Sequence, residues 1–201
     1  MLNLNLKTPP KNEPIELDEL KAHLRDKGID EDNYLSSVII PSARASVEAA
    51  LSRALITQTW EWVWDGGFPA TGRLKFPKPP LQSVEAVKYI DTDGTTQTWA
   101  TSNYAVETKG EFGRLWLADG IVWPTDLKLS QPGVAWIEFI AGYGDEPDTV
   151  PGGIRNLVLM MAAHLYQQRE PTVTGVTISK VPFHIDLMTW QYRALDFELS
   201  P

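Results

Sequence analysis

The stretch Arg53-Ala54-Leu55-Ile56-Thr57-Gln58-Thr59-Trp60-Glu61-Trp62-Val63-Trp64-Asp65-Gly66-Gly67 is where the chain changes its period. Trp60, Trp62 and Trp64 fall on one face of an extended segment, Glu61, Val63 and Asp65 on the other, and two glycines close it. Upstream the period is helical. From Tyr34 to Leu55 the stripe runs through Leu35, Val38, Ile39, Ser42, Ala45 and Ala49, with Asp30 as N-cap and Glu31 and Asp32 in the first turn. Pro41 removes a backbone donor inside this run, so the helix is expected to kink or restart there. Its alanine-rich face (Ala43, Ala45, Ala49, Ala50, Ala54) lets another backbone come close. Glu16 to Arg25 predicts a shorter first helix ended by Gly28. Residues 1–14 carry Lys7, Pro9, Pro10, Lys11 and Pro14, lack the apolar run of a signal peptide, and read as an irregular arm.

Downstream the two-residue period persists. Arg73 to Phe76, Val84 to Ile90, Thr95 to Trp99, Tyr104 to Thr108, Arg114 to Ala118 and Val134 to Ala141 read as strands. Asp93-Gly94 and Lys109-Gly110 mark two hairpins. Helix returns at Pro151 with Ile154, Leu157, Val158, Met161 and Leu165 on one stripe. Leu159, Met160, Ala162 and Ala163 fill most of the remainder, so this helix is expected to be covered on several sides. Residues 172–180 read as a Thr/Gly-rich loop, and Pro182 opens a last helix with Phe183, Leu187 and Trp190. The fold class is α+β: a bundle of about four helices with an antiparallel β-domain, a small curved sandwich or open barrel, inserted between the second and third main helices. Residues 15–56 and 150–201 form the helical core, and residues 57–149 the insert.

Composition excludes much chemistry. The chain has 201 residues, 18 Lys+Arg against 26 Asp+Glu, and a formal net charge of -8, which argues against holding nucleic acid on a basic face. A chain of this length buries roughly 70% of its unfolded surface and needs no disulfide or metal to fold. With no cysteine, thiol nucleophiles and Cys-ligated zinc are out. The apolar run Ile154 to Leu165 is too short to cross a bilayer. His23, His164 and His184 sit on three different predicted helices without a zinc-site partner. Gly142-Tyr143-Gly144 fails as a dinucleotide fingerprint because Pro147 stands where the third glycine belongs. Asp91, Asp93 and Gly94 lack the remaining ligands of a calcium loop. No cofactor or metal is expected.

Two features keep a ligand reading open. Trp60, Trp62 and Trp64 offer a stacking platform for sugar rings, as in a carbohydrate-binding module, or the core of a sheet with one buried face. The core reading is favoured, since two-residue alternation normally means one buried face, and the basic residues that a platform for nucleic-acid bases needs are missing from residues 57–65. Glu61, Glu85, Glu107 and Glu138 supply strand carboxylates for a small hydrolase, a more distant alternative with no anchoring pocket.

Taken in order, several segments resemble bacteriophage head–tail connector (adaptor) proteins. The run Ile40-Pro41-Ser42-Ala43-Arg44-Ala45-Ser46-Val47-Glu48, continuing through Arg53 to Trp60, is similar to their long helix and first strand. Leu74 to Phe76, Pro77 to Val84 and Tyr89-Ile90-Asp91 resemble the β-insert of larger members. Phe139 to Gly144, Val150-Pro151-Ile154-Arg155 and Ala163-His164-Leu165-Tyr166 resemble their return into helix, and Val181-Pro182 with Tyr192-Arg193 their ending. Compact members lack so large an insert.

The resemblance implies a non-enzymatic structural protein of a virion or prophage. It is assembled in the bacterial host cytoplasm, sits at the head–tail interface and works as a closed ring of about twelve copies, even where the isolated chain is a monomer. Its partners would be the portal and a tail-completion or stopper protein, with DNA passing through unread and no membrane contact. Arg44, Glu48 and Arg53 are then expected at the subunit interface, and Trp190, Tyr192, Arg193 and Phe197 at the portal. An acidic lumen would suit a conduit, because every phosphate neutralised by Lys or Arg adds affinity where passage is wanted.

Overall fold

The computed structural model describes residues 3–25, 28–168 and 189–194. It divides into two compact units, one of residues 1–10 and 57–143 and one of residues 11–56 and 144–201. The chain therefore begins in the β-unit, crosses to the helical unit, returns, and crosses again.

The β-unit holds two antiparallel sheets. The larger has the order β1 (Asn3–Thr8), β2 (Gln58–Trp64), β8 (Ala135–Ala141), β4 (Leu81–Ile90), β5 (Thr96–Trp99). The smaller has the order β3 (Arg73–Lys75), β7 (Arg114–Leu117), β6 (Tyr104–Glu107). The first strand corrects the reading of residues 1–14 as an irregular arm. Leu4 and Leu6 alternate with Asn3, Asn5 and Lys7, and that pattern pairs Leu4 with Trp62 and Leu6 with Trp60. Pro9 and Pro10 end the strand because neither donates to a ladder.

Phe76, just beyond β3, packs edge-on against Phe139 of β8 at 5.1 Å and Trp62 of β2 at 6.0 Å, so the two sheets face one another across an apolar layer. Leu74, Leu81, Val87, Leu115 and Ile137 complete that layer. Gly113 is required there: any Cβ would land on the Cβ and Cδ2 of buried Leu81. The Asp91–Gly94 turn forms as its sequence predicts. Asp91 Oδ1 accepts from the Asp93 and Thr95 amides at 3.1 and 2.8 Å, and Gly94 takes φ +88°.

In the helical unit, α1 (Leu17–Leu24) opens with a Glu16–Glu19 capping box. It ends with Arg25, not Gly28, in the left-handed conformation at φ 58°. The second helix starts as α2 (Asp32–Tyr34), widens into a π-turn over Leu35–Ile39, and continues as α3 (Ile40–Leu51). Pro41 explains the π-turn. Its ring needs the space that an ordinary turn gives the preceding carbonyls, and Ile40 donates to the Leu35 carbonyl, five residues back. The helix stops at Leu51, four residues before the periodicity suggests, because Ser52 turns left-handed at φ 55° and Leu55 donates to the Glu48 side chain instead. The helix α4 (Gly152–Gln167) buries Ile154, Leu157, Val158 and Ala162, while Leu159, Met160, Met161 and Leu165 are half-buried. It is tied to the first two helices by Arg155–Glu19 and Tyr166–Glu31 contacts. The predicted loop 172–180 and the helix opening at residue 182 lie outside the described residues. No described helix is long and apolar enough to cross a membrane.

Candidate functional site

The tryptophan stripe faces inward. Trp62 is 8% exposed and contacts Trp64 at 4.6 Å between ring centroids. Trp64 continues to Phe68 at 5.7 Å, and half-buried Trp60 has the Lys78 ammonium 5.5 Å from its ring. With its middle indole sealed between sheets, the stripe presents no continuous plane on which a sugar ring could stack.

The opposite face of the larger sheet carries Glu61 and Glu138, whereas Glu107 pairs with Arg114 in the smaller sheet, and on that larger face sequence reasoning missed an ion cluster. Glu61 and Glu138 stand directly across the β2–β8 pairing, where two like charges repel. Lys7 of β1 reaches both, at 3.3 Å to Glu61 and 2.8 Å to Glu138. Lys88 of β4 meets the same Glu138 oxygen at 2.8 Å, and Trp136 Nε1 donates to it at 3.3 Å. Burial alone would raise the Glu138 pKa, but these three donors outweigh it and hold the carboxyl at about 2. A general acid needs the opposite shift. The signal was present in the alternation of residues 3–8, which brings Lys7 onto the solvent side of the sheet.

Arg44, Glu48 and Arg53, expected at a subunit interface, are engaged within the chain. Arg44 Nε donates to Glu13 at 2.7 Å and its Nη1 to Glu48 at 2.8 Å. The other Glu48 oxygen accepts the buried Leu55 amide at 2.8 Å. Arg53 Nε donates to the Tyr192 carbonyl at 2.6 Å. The three residues lock the exit of α3, because the carbonyls and amides freed at a helix end need partners once buried. Burial lifts the Glu13 pKa despite its Arg44 partner.

The residues expected at the portal separate. Residues 189–194 are pinned by the Arg53 bond and by the Ala194 amide donating to the Leu51 carbonyl at 2.9 Å. The Tyr192 ring lies over Gly153, so close that a Cβ there would meet its Cζ at 2.7 Å. Trp190, by contrast, is 68% exposed, and Arg193 is exposed beside it. Phe197 lies outside the described residues. Among the described residues, no group of three His, Asp or Glu side chains is placed to hold a metal.

The fold is similar to chains in solved particles. One lies in the neck of an empty gene transfer agent (GTA) particle computed with C6 symmetry: TM-score 0.76, 23% identity, 96% of this chain and 96% of that chain. A second, in the virion of a native GTA particle, gives TM-score 0.76 and 23% identity over 96% of this chain and 95% of that one. A third, in the neck of a native GTA particle computed with C12 symmetry, gives TM-score 0.72 and 22% identity over 97% and 96%. No family model and no curated protein matches the chain. The likeness is one of fold, and it runs through nearly the whole length of each chain.

Proposed function

We propose that this chain is a structural head–tail neck protein of a tailed phage, prophage or related particle: an adaptor that forms a closed ring below the portal, joins capsid to tail and lets DNA pass. The observation that carries the reading is the coverage of the likeness, 96% of both chains at TM-score 0.76 with a neck chain. Helical and β-units are thus matched together, which a generic helical bundle would not give. The sealed Trp62 and the ionised Glu138 weigh against the carbohydrate-binding and hydrolase alternatives.

With Arg44, Glu48 and Arg53 satisfied internally, the ring contact moves to what α3 leaves open: exposed Ser42, Ala45, Ser46 and Ala49, with Val38 at 44% exposure. Small side chains there permit the close approach that head-to-tail contacts of about twelve copies demand. Portal docking falls to Trp190 and Arg193, with Tyr192 as the pin that holds their turn. A stopper or tail-completion protein occupies the opposite side, and the net charge of -8 keeps DNA from adhering in the lumen.

The test is co-expression with the portal encoded beside the gene, followed by mass photometry and electron microscopy. Rings of this chain capping the portal are expected, and deletion of the gene should give DNA-filled heads without tails. A chain that never forms rings, alone or with portal, and never binds portal, sinks the reading.

A further inference from the structure

The connection from β7 to β8, residues 118–134, carries three of the exposed large apolar side chains among the described residues: Ile121 at 37%, Val122 at 73% and Leu129 at 63%. Exposed aliphatic groups on a loose loop would be unremarked, but this loop is held throughout. Trp123 is buried, donates Nε1 to the Thr71 carbonyl at 2.9 Å and stacks on Phe68 at 4.5 Å. Leu127 is buried and packs toward the same Phe68. Lys128 donates its amide to Ile90 at 3.0 Å, Thr92 donates to Asp126 at 3.0 Å, and Gly133 donates to Asp65 Oδ1 at 2.8 Å. Trp123 stacks on Phe68, and Leu127 and Leu129 lie against Gly67 next to it, so exposed Val122 and Leu129 each adjoin, in sequence or in contact, the same aromatic anchor. Leu129 also lies over the turn after β2, within 3.8 Å of where a Gly67 Cβ would stand.

A preformed apolar patch on a fixed loop is what a docking surface needs, since little entropy is lost on binding. Its border is acidic. Asp119 and Asp126 belong to the loop, Asp65 and Asp93 to the turns that bond to it, and all four are exposed, with half-buried Lys128 and exposed Arg73, beside the turn that accepts the Trp123 indole, as the counterweights. We propose that this patch docks a second protein species, one offering an apolar pocket rimmed by Lys and Arg. The proposal deepens the neck reading and rests on it: the β-unit is where the ring engages a different component of the particle. A second copy is the poorer counterpart because it is itself acidic, with net charge -8. Anionic lipid is excluded by the same border.

The test places p-benzoylphenylalanine at position 122 of the full chain during particle assembly, with exposed Lys109 as the control position. Irradiated particles should yield one adduct, to a different protein, through an apolar peptide flanked by Lys or Arg. Val122→Asp should cut that protein's incorporation at least tenfold while leaving the unfolding midpoint of the purified chain unchanged. Asp119→Lys with Asp126→Lys should cut it too, independently of any effect at the patch centre. An adduct to a second copy, to lipid, or to nothing overturns the proposal while the chain's presence in the particle upholds the neck reading. A chain absent from particles removes both.

Discussion

Replacing Glu138 by Gln keeps the shape of the side chain and removes the charge on which Lys7 and Lys88 converge. The carboxyl sits at about 2 against an ordinary 4.5. Taken whole, that depression corresponds to roughly 3 kcal/mol. Lys7 is 42% exposed and Lys88 27%, so solvent screening reduces it to on the order of 1–2 kcal/mol. The sign follows from the depressed native pKa. The unfolded chain takes up the proton first, so the contribution is complete above pH 4.5 and disappears as pH falls toward about 2. Urea unfolding followed by tryptophan emission should therefore show wild type ahead of Glu138→Gln at pH 6. The gap should close between pH 5 and pH 2 and shrink at high salt. Glu13, whose pKa is raised by burial, and Glu19, whose pKa is lowered, are common to both proteins and cancel in the comparison. Since Lys7 ties β1 across β2 to β8, amide exchange at residues 4–8 should also accelerate in the variant. A gap that stays constant from pH 6 to pH 2 would refute the reasoning, because it would show that the charge is not what Glu138 contributes.

Three further outcomes are expected. Glu48→Ala strands the buried Leu55 amide and leaves Arg44 with Glu13 alone, at a cost of about 2–4 kcal/mol in denaturant unfolding, whereas Glu48→Gln keeps an acceptor and costs about half as much. Gly153→Ala drives a methyl group into the Tyr192 ring, so limited proteolysis should cut near residues 189–194 far sooner than in wild type while far-UV circular dichroism is retained. Trp190→Ala should change unfolding free energy by less than about 0.5 kcal/mol, since the side chain is 68% exposed, yet reduce portal binding at least tenfold in a pull-down with purified portal.

The strands were legible because each has its own local signal. Two-residue alternation, a hairpin turn or a proline stop marks β3 and β5 to β8 within a residue, while β4 begins at Leu81, three residues before the start read at Val84. β1 was obscured by the prolines beside it: composition over residues 1–14 suggests a loop, while the alternation of Leu4, Asn5, Leu6 and Lys7 is shorter than the window in which composition is judged. The end of α3 was misplaced for a different reason. Ala54 and Leu55 continue the helical stripe and are buried, but Glu48 captures the Leu55 amide, and no periodicity encodes a side chain seven residues away doing a backbone's work. That bond also engages a residue that the helix wheel assigns to a subunit interface. Arg44, Glu48 and Arg53 look like surface charges on a helix wheel, and become internal only once residues 13, 55 and 192 are brought against them.

The tryptophan surplus separates structure from function in the same way. Seven of the eight indoles belong to the β-unit, and each is buried or half-buried there: Trp62 and Trp123 seal the interior, Trp64 and Trp99 pack onto phenylalanine or indole neighbours, and Trp60, Trp116 and Trp136 lie within paired strands. Core packing accounts for five of them, since large aromatic side chains fill a thin core with few residues, while Trp116 pairs with Arg73 and Trp136 shares the Glu138 face on the outer sides of the two sheets. Trp190 is outside that unit and exposed. Its turn is held by two backbone-directed hydrogen bonds and by Tyr192 against Gly153, so the indole is presented from a fixed base. Stability within the chain gives no reason to hold an exposed indole there. The proposed portal contact would use that base: Arg53 bonds the Tyr192 carbonyl, and Gly153 leaves room for the Tyr192 ring.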